Sequence, residues 1–351
     1  MTFDDVLEIK NGRNQRTVEN SNGKYPIYGS GGIMGYADDY ICEAQTVIVG
    51  RKGSINNPLF VDEPFWNVDT AFGLCARKEV LLPRYLYFFC RKFDFERLNK
   101  AVTIPSLTKS DLLKIEIELP DLVEQQNVVD KLLKIERIIE LRKQELQKLD
   151  EFIKARFVEL FGDPMTNPKG FPCYTVGEVI DFQGGSQPDK KYFEYESTPD
   201  NIRLIQIRDY KSDKYITYIP RIMAKRFCTV DDIMIGRYGP PIFQILKGIE
   251  GTFNVALMKA TPKMGNREFI RYFLKQDCLL EYLEGLSKRT AGQDGIQMDK
   301  LKAYPFPYPQ IELQEQFAAF VEQTDKSKVA VQKALEKTQL LFDSLMQEYF
   351  G

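Results

Sequence analysis

The chain has 351 residues and is 43% hydrophobic, too long for one ordinary domain and rich enough in apolar side chains to build two cores. It contains no histidine, which excludes Ser-His-Asp, Cys-His and His-Glu-x-x-His chemistry and leaves open only a carboxylate-based or lysine-based site. A net charge of −2 argues against a protein that coats nucleic acid, because phosphate contacts need Lys and Arg.

The six cysteines (Cys42, Cys75, Cys90, Cys173, Cys228 and Cys278) form no Cys-x-x-Cys pair, so a zinc ribbon or a secreted disulfide framework is not expected. They read as reduced and mostly buried, and no metal site is expected. No run reaches the roughly 18 uncharged apolar residues that span a bilayer, and residues 1–5 lack the features of a signal peptide. A cytoplasmic protein without membrane contact is expected.

In chain order, residues 1–118 mix β-branched and aromatic runs such as 46–49 with Gly, Pro and Asn turns, and then a helical stretch at 83–97. That is the pattern of an α/β or α+β globule. Residues 119–162 change character. Leu132, Ile135, Ile139, Arg142, Leu146, Leu149, Ile153 and Phe157 recur almost throughout at steps of three and four, a coiled-coil seam. Asp121, with Glu124 three residues on, suits the N-terminal cap, and Gly162 before Asp163-Pro164 is a stop. About 40 helical residues at ~1.5 Å each make a rod of about 60 Å.

Residues 163–308 read as a second globule, with strands near 204–207 and 215–219 and a helix over 267–284. Residues 309–351 read as a second long helix. Its seam runs through Val321, Thr324, Lys328, Val331, Leu335, Thr338, Phe342, Leu345 and Tyr349 and is more polar than the first. Such a helix needs a partner, and an antiparallel pairing with the first helix, holding two globules apart, is expected. Acidic residues concentrate there: residues 121–159 hold 8 basic and 9 acidic residues, and residues 312–348 hold 4 and 7. The globules are correspondingly weakly basic.

The chain repeats itself. Residues 6–12 (VLEIKNG) answer to 179–185 (VIDFQGG), and 46–53 (TVIVGRKG) to 232–239 (DIMIGRYG). Asn67-Val68 answers to Asn254-Val255, 122–125 (LVEQ) to 313–316 (LQEQ), and 157–162 (FVELFG) to 346–351 (MQEYFG). Five islands in one order imply two homologous halves. Two related globules on a spacer suit duplex DNA with two half-sites. A non-DNA coiled-coil scaffold or adaptor with paired globules has the same outline.

The sequence resembles the type I restriction-modification DNA specificity (S) subunits over nearly its whole length. The resemblance is carried by residues 25–36 (YPIYGSGGIMGY), by the Gly-Arg-x-Gly runs at 50–53 and 236–239, by the helix starts at 122–126 and 311–317 (IELQEQF), and by residues 154–164 (KARFVELFGDP). It implies α/β (α+β) target-recognition domains in tandem duplication, separated by two long helices that form an antiparallel coiled coil. Domain boundaries at 1–118, 119–162, 163–308 and 309–351 follow. It further implies a non-catalytic subunit that reads a bipartite, asymmetric site in double-stranded DNA. The resemblance implies assembly with two modification subunits, which bring S-adenosylmethionine and methylate adenine, and with two restriction subunits, which use ATP and Mg to translocate and cut. No cofactor is expected on this chain. The helices are the implied docking surface, with seam residues Leu132, Ile139, Leu146, Ile153, Val331, Leu335, Phe342 and Leu345.

Arg51 and Arg237 are the first candidates for DNA contact, because glycines let the backbone approach a phosphate and arginine forks onto phosphate or guanine. The plainer alternative is a tight turn whose arginine pairs with a local carboxylate. Lys52, Ser54, Asn56 and Tyr238 extend these loops. A second set lies ahead of the final strand of each half: Thr103, Ser106 and Lys109 in one, Lys288, Arg289, Thr290, Gln293 and Gln297 in the other. Residues 28–32 lack the spacing of a nucleotide loop and read as a structural turn. Gly239-Pro240-Pro241-Ile242 lacks the Asn or Asp and the aromatic residue of an adenine methyltransferase loop. A stand-alone DNA enzyme is therefore disfavoured.

Overall fold

The computed structural model describes residues 1–99, 105–238, 242–287 and 296–351. They fall into two compact units, 1–145 with 331–351, and 146–330.

The first unit opens with the short helix α1 (Phe3–Val6), fixed by a reciprocal cap between Thr2 and Asp5. Strands β1 (Leu7–Asn11), β2 (Tyr25–Gly29), β3 (Gly32–Ala37), β4 (Thr46–Gly50), β5 (Leu59–Val61), β6 (Trp66–Asn67) and β7 (Ala71–Ala76) follow. They form an antiparallel sheet in the order β1-β7-β4-β5 and a smaller sheet in the order β3-β2-β6. Helix α2 (Pro83–Lys92) carries Pro83 at its first turn, where no N–H is needed. It covers the larger sheet with Tyr85, Leu86, Phe88 and Phe89. Helix α3 (Lys109–Leu112) is capped by the Thr108 hydroxyl.

Helix α4 (Leu122–Phe161) begins where Asp121 Oδ1 accepts from the Glu124 N–H at 2.8 Å, and it ends at Gly162 with φ +75°. Both ends are where the cap and the glycine predict them.

The second unit repeats this plan. It runs β8 (Cys173–Thr175), α5 (Val176–Val179), β9 (Ile180–Gly184), β10 (Asn201–Ile205), β11 (Tyr218–Pro220), β12 (Phe227–Cys228), β13 (Ile233–Gly236), β14 (Gln244–Lys247), β15 (Gly251–Phe253) and β16 (Leu257–Pro262). Helices α6 (Arg267–Leu274), α7 (Asp277–Ser287) and α8 (Met298–Ala303) lead to β17 (Pro305–Pro307) and α9 (Ile311–Phe350). The main sheet, β14-β13-β16-β9, has the topology of β5-β4-β7-β1. Helix α5 even carries the same reciprocal cap, here Thr175 with Glu178.

Hydrogen bonds correct the repeat register in two places. Val68 N donates to Tyr28 O as Asn254 N donates to Ile205 O, and Ala71 N donates to Val68 O as Leu257 N donates to Asn254 O. Val68, not Asn67, is thus the counterpart of Asn254. The helix starts Leu122 and Ile311 are equivalent, so Gln125 corresponds to Gln314 rather than to Gln316. The local letter matches at both places are one or two residues out of structural register.

In each unit, parts of α4 and α9 run antiparallel. In the first, Lys131 meets Tyr349, and Arg142 donates to Ala334 O and to the Thr338 hydroxyl. In the second, Phe157 packs on Phe317 at 5.5 Å, Phe152 on Phe320 at 5.0 Å, and Lys328 pairs with Asp150. The polar seam positions of α9 are thereby satisfied. The hydroxyls of Thr324 and Thr338 also bond the carbonyls one turn back.

Leu132, Ile139, Ile153 and Phe342 are buried in the two cores, and Leu146, Val331, Leu335 and Leu345 are half-buried. These seam residues are covered by their own chain. Any molecule docking on the helices meets other faces, which present Ile138, Leu141, Leu340 and Leu341 in the first unit and Phe152, Val158 and Val329 in the second. Among the described residues, no helix is long and apolar enough to cross a membrane, and no group of three or more potential ligand side chains is placed to hold a metal.

Candidate nucleic-acid interface

One end of the main sheet in the first unit gathers four loops. Strand β1 leaves at Asn11, β4 leaves at Gly50, and β7 enters at Ala71. Gly12 N donates to Ala71 O at 3.2 Å, and Arg13 N to Asn67 O at 2.9 Å. Arg51 N donates to Thr70 O at 2.7 Å, Gly53 N to Pro105 O at 3.1 Å, and Leu107 N to Arg51 O at 2.9 Å. The turn carrying Arg51 and Lys52 is therefore tied on both sides through its backbone. The side chains stay outside this ladder.

Glycine is required here for two different reasons. A Cβ on Gly50 would lie 2.3 Å from Ser54 O, and Gly53 has φ +80°. Gly12 is equally confined, since a Cβ there would lie 1.8 Å from Val68 O.

Arg51, Lys52 and Ser54 are exposed. The Arg51 guanidinium lies 5.8 Å from the centre of the Phe72 ring, and among the described residues it makes no salt bridge. Lys52 and Arg13 likewise have no side-chain partner among the described residues. Asp69, on the neighbouring loop between β6 and β7, is exposed and makes no salt bridge among the described residues. Three unpaired cations at one sheet end form an arrangement suited to an anionic partner.

The other candidates in this unit divide. Lys52 forms an isolated bridge with Ser106, which brings the Pro105–Leu107 backbone onto the turn. Lys109, by contrast, donates to Ile9 O at 2.7 Å, and Asn56 bonds both Asp94 Oδ1 and the Phe95 N–H. Both of these side chains are engaged inside the protein. Thr103 lies outside the described residues.

The second unit builds the same sheet end from 184–186, 236–238 and 254–256. Arg237 N donates to Ala256 O at 2.9 Å, the counterpart of Arg51 N to Thr70 O, and Ser186 N donates to Phe253 O at 3.0 Å. Gly185 is confined as Gly12 is, 1.9 Å from Asn254 O. The arginine behaves differently. Its Nη1 reaches Val255 O at 3.4 Å, its Nε is enclosed without a hydrogen-bond partner, and its guanidinium lies 5.3 Å from the Tyr238 ring.

Tyr238 is 46% exposed. Gln297 stands at the N-cap position of α8, where its carbonyl accepts from Lys300 and Leu301. Lys288, Arg289, Thr290 and Gln293 lie outside the described residues.

Sequence reasoning missed Arg13. The available signal was Gly12, a glycine directly after a strand and repeated as Gly185, which marks a close backbone crossing and so places the next residue at the sheet end.

The sequence matches the family model of the type I restriction modification DNA specificity domain over residues 1–151 and 168–340. Among curated proteins, it is 26% identical over 168 residues to the type I specificity subunit S.MpnORF285P of Mycoplasma pneumoniae, covering 42% of this chain and 55% of that one. It is 24% identical over 204 residues to the type I restriction enzyme MjaIX specificity subunit of Methanocaldococcus jannaschii, covering 48% and 46%. The matched segments thus span about half the length of these relatives.

Among solved structures, the fold is similar to the S subunit of a type I restriction-modification system from M. genitalium, with a TM-score of 0.64 and 19% identity over 100% of this chain and 95% of that one. A structure reported for the complex assembly and conformational transition of a type I restriction-modification system gives 0.60 and 17%, covering 100% and 96%. Both likenesses concern the fold alone. The duplicated sheet ends and the two matched segments agree, and the chain belongs to the type I restriction-modification DNA specificity family.

Proposed function

We propose that this chain reads a bipartite, asymmetric site in double-stranded DNA, one half per repeat, and directs partner subunits to it. The observation that carries this reading is the repeated sheet end, with a backbone-tied Gly-Arg turn in both units and, in the first, cations without a side-chain partner among the described residues. In this reading the chain is non-catalytic. Modification subunits supply S-adenosylmethionine-dependent adenine methylation, restriction subunits supply ATP- and Mg-dependent cleavage, and each kind is expected in two copies. The setting is the cytoplasm.

Selection from a random duplex pool, with a modification subunit present, tests it. Two short motifs at a fixed gap are expected. Recovery of no motif would instead favour a scaffold.

Modification subunits are proposed to dock on the outward faces of the long helices, since the inward seams are occupied. Replacing Leu340 and Leu341 by glutamate should weaken assembly about tenfold, because two exposed apolar side chains are lost from the contact. The melting temperature should not move. Co-purification with unchanged stoichiometry and affinity would count against this face.

A further inference from the structure

The hairpin formed by β2 and β3 reaches the same sheet end as the Arg51 turn. Its stem is anchored by the parallel pairing of Ile27 and Tyr28 with Trp66 and Asn67. A register shift between Ile27 and Tyr28 re-aims the strand beyond them. The tip lies against the arginine turn, because a Cβ on Gly50 would stand 3.1 Å from Ser30 Cβ.

What the tip offers there is apolar. Ile33 and Met34 are 56% and 61% exposed. Gly32 needs its glycine for φ +123°, but Gly31 has no positive φ, and a Cβ there would meet nothing within 4 Å. No contact within the chain demands a glycine at position 31. The missing side chain leaves open space over the tip. Large apolar side chains at the end of a fixed hairpin, beside unpaired cations, suit a groove of DNA, where they meet base edges while the cations hold phosphates.

The second unit fills the same place differently. A Cβ on Gly236 would lie 2.9 Å from Ile207 Cδ1, so the segment leaving β10 occupies the position of the hairpin tip. That segment carries Arg208, Lys211, Lys214 and Tyr215, with the Arg208 guanidinium 5.7 Å from the Tyr215 ring and bonded to the Thr217 hydroxyl, while its Asp209 and Asp213 pair with Arg203. One structural position is thus apolar in one repeat and cationic with an aromatic ring in the other.

We propose that the tip of the β2–β3 hairpin is the base-reading element of the first repeat, with Ile33 and Met34 entering a groove of its half-site. This rests on the DNA-reading function proposed above. It adds that base preference is set at the hairpin, with affinity set at the Arg51 turn beside it.

The experiment compares three forms of the 351-residue chain, each assembled with a modification subunit, in selection from a random duplex pool followed by titration at several salt concentrations. They are the unaltered chain, Ile33→Ser with Met34→Ser, and Ile33→Val with Met34→Leu. The serine pair is expected to lose five- to tenfold discrimination at one or two positions of one half-motif. The other half-motif, the salt slope and the melting temperature should stay as they are, and the conservative pair should keep the full motif. A serine pair that retains both half-motifs overturns the proposal, and so does one that loses affinity equally for all sequences. No motif with the unaltered chain refutes the DNA-reading function itself, a result distinct from either of these.

Discussion

Arg51→Ala combined with Lys52→Ala is expected to lower affinity for duplex DNA by roughly 10- to 100-fold, nearly equally for all sequences, because the lost contacts go to phosphate. The salt slope should fall by about 2, since two phosphate-facing cations are lost. Neither side chain has a hydrogen-bond or carboxylate partner among the described residues, so removing them strands nothing inside the protein. The melting temperature should therefore hold.

Arg237→Ala should behave in the opposite sense. That guanidinium folds back on Val255 O with its Nε enclosed, so its loss is expected to weaken binding less and to disturb the turn more. Equal effects of the two substitutions on affinity and melting would refute this division of roles. Titration with labelled duplex and a thermal melt of each variant suffice.

The second large effect concerns folding. Gln125 and Gln314 are both fully buried and do the same work in the two units. Gln314 Oε1 accepts from the Asn266 N–H at 2.8 Å, just ahead of α6, while its Nε2 donates to Pro309 O at 2.8 Å. Gln125 Oε1 accepts from the Leu82 N–H at 2.8 Å, just ahead of α2, while its Nε2 donates to Val80 O and Pro120 O. Each glutamine ties the start of a long helix to the start of a domain helix.

Gln314→Leu keeps the volume close but orphans a buried N–H and a buried carbonyl, at about 1–3 kcal/mol each. A loss of roughly 2–4 kcal/mol is expected, which lowers the melting temperature by about 10 °C for a unit of this size. Melting within a degree of the unaltered protein would show that water or a backbone shift satisfies these groups. Gln316→Leu should be much milder, because that side chain holds no such bonds among the described residues.

Much of the plan was readable from the sequence where one residue type had one physical use. Asp121, Gly162 and the seam of α4 mark a helix and its ends, and Gly50 with Gly53 marks a turn that no other residue fits. The repeat was readable as well, but its register was not. Asn67 and Asn254 share a letter while occupying neighbouring structural positions, because a side-chain match carries no information about which carbonyl the next N–H reaches. Residues 28–32 read as a structural turn, and they form the tip of the β2–β3 hairpin. Its apolar tip escaped notice because Ile33 and Met34 look like strand residues until the sheet places them in the open. Lys109 and Asn56 show the converse, since a polar side chain on a loop is as able to bond its own backbone as a ligand.

The first unit is made from two separated stretches of chain, and this sets an order on synthesis. Residues 146–330 leave the ribosome as one uninterrupted piece and hold every residue their own core needs. Residues 1–145 emerge earlier yet wait for 331–351, whose Phe342 and Met346 complete the core around Phe88 and Leu132. The bond from Lys92 to Gln347 closes a span of 255 residues, against 178 for Lys328 with Asp150. The domain translated first is thus the one finished last. During that interval the places of Phe342 and Met346 in its core are unfilled, leaving part of its apolar surface uncovered in the nascent chain.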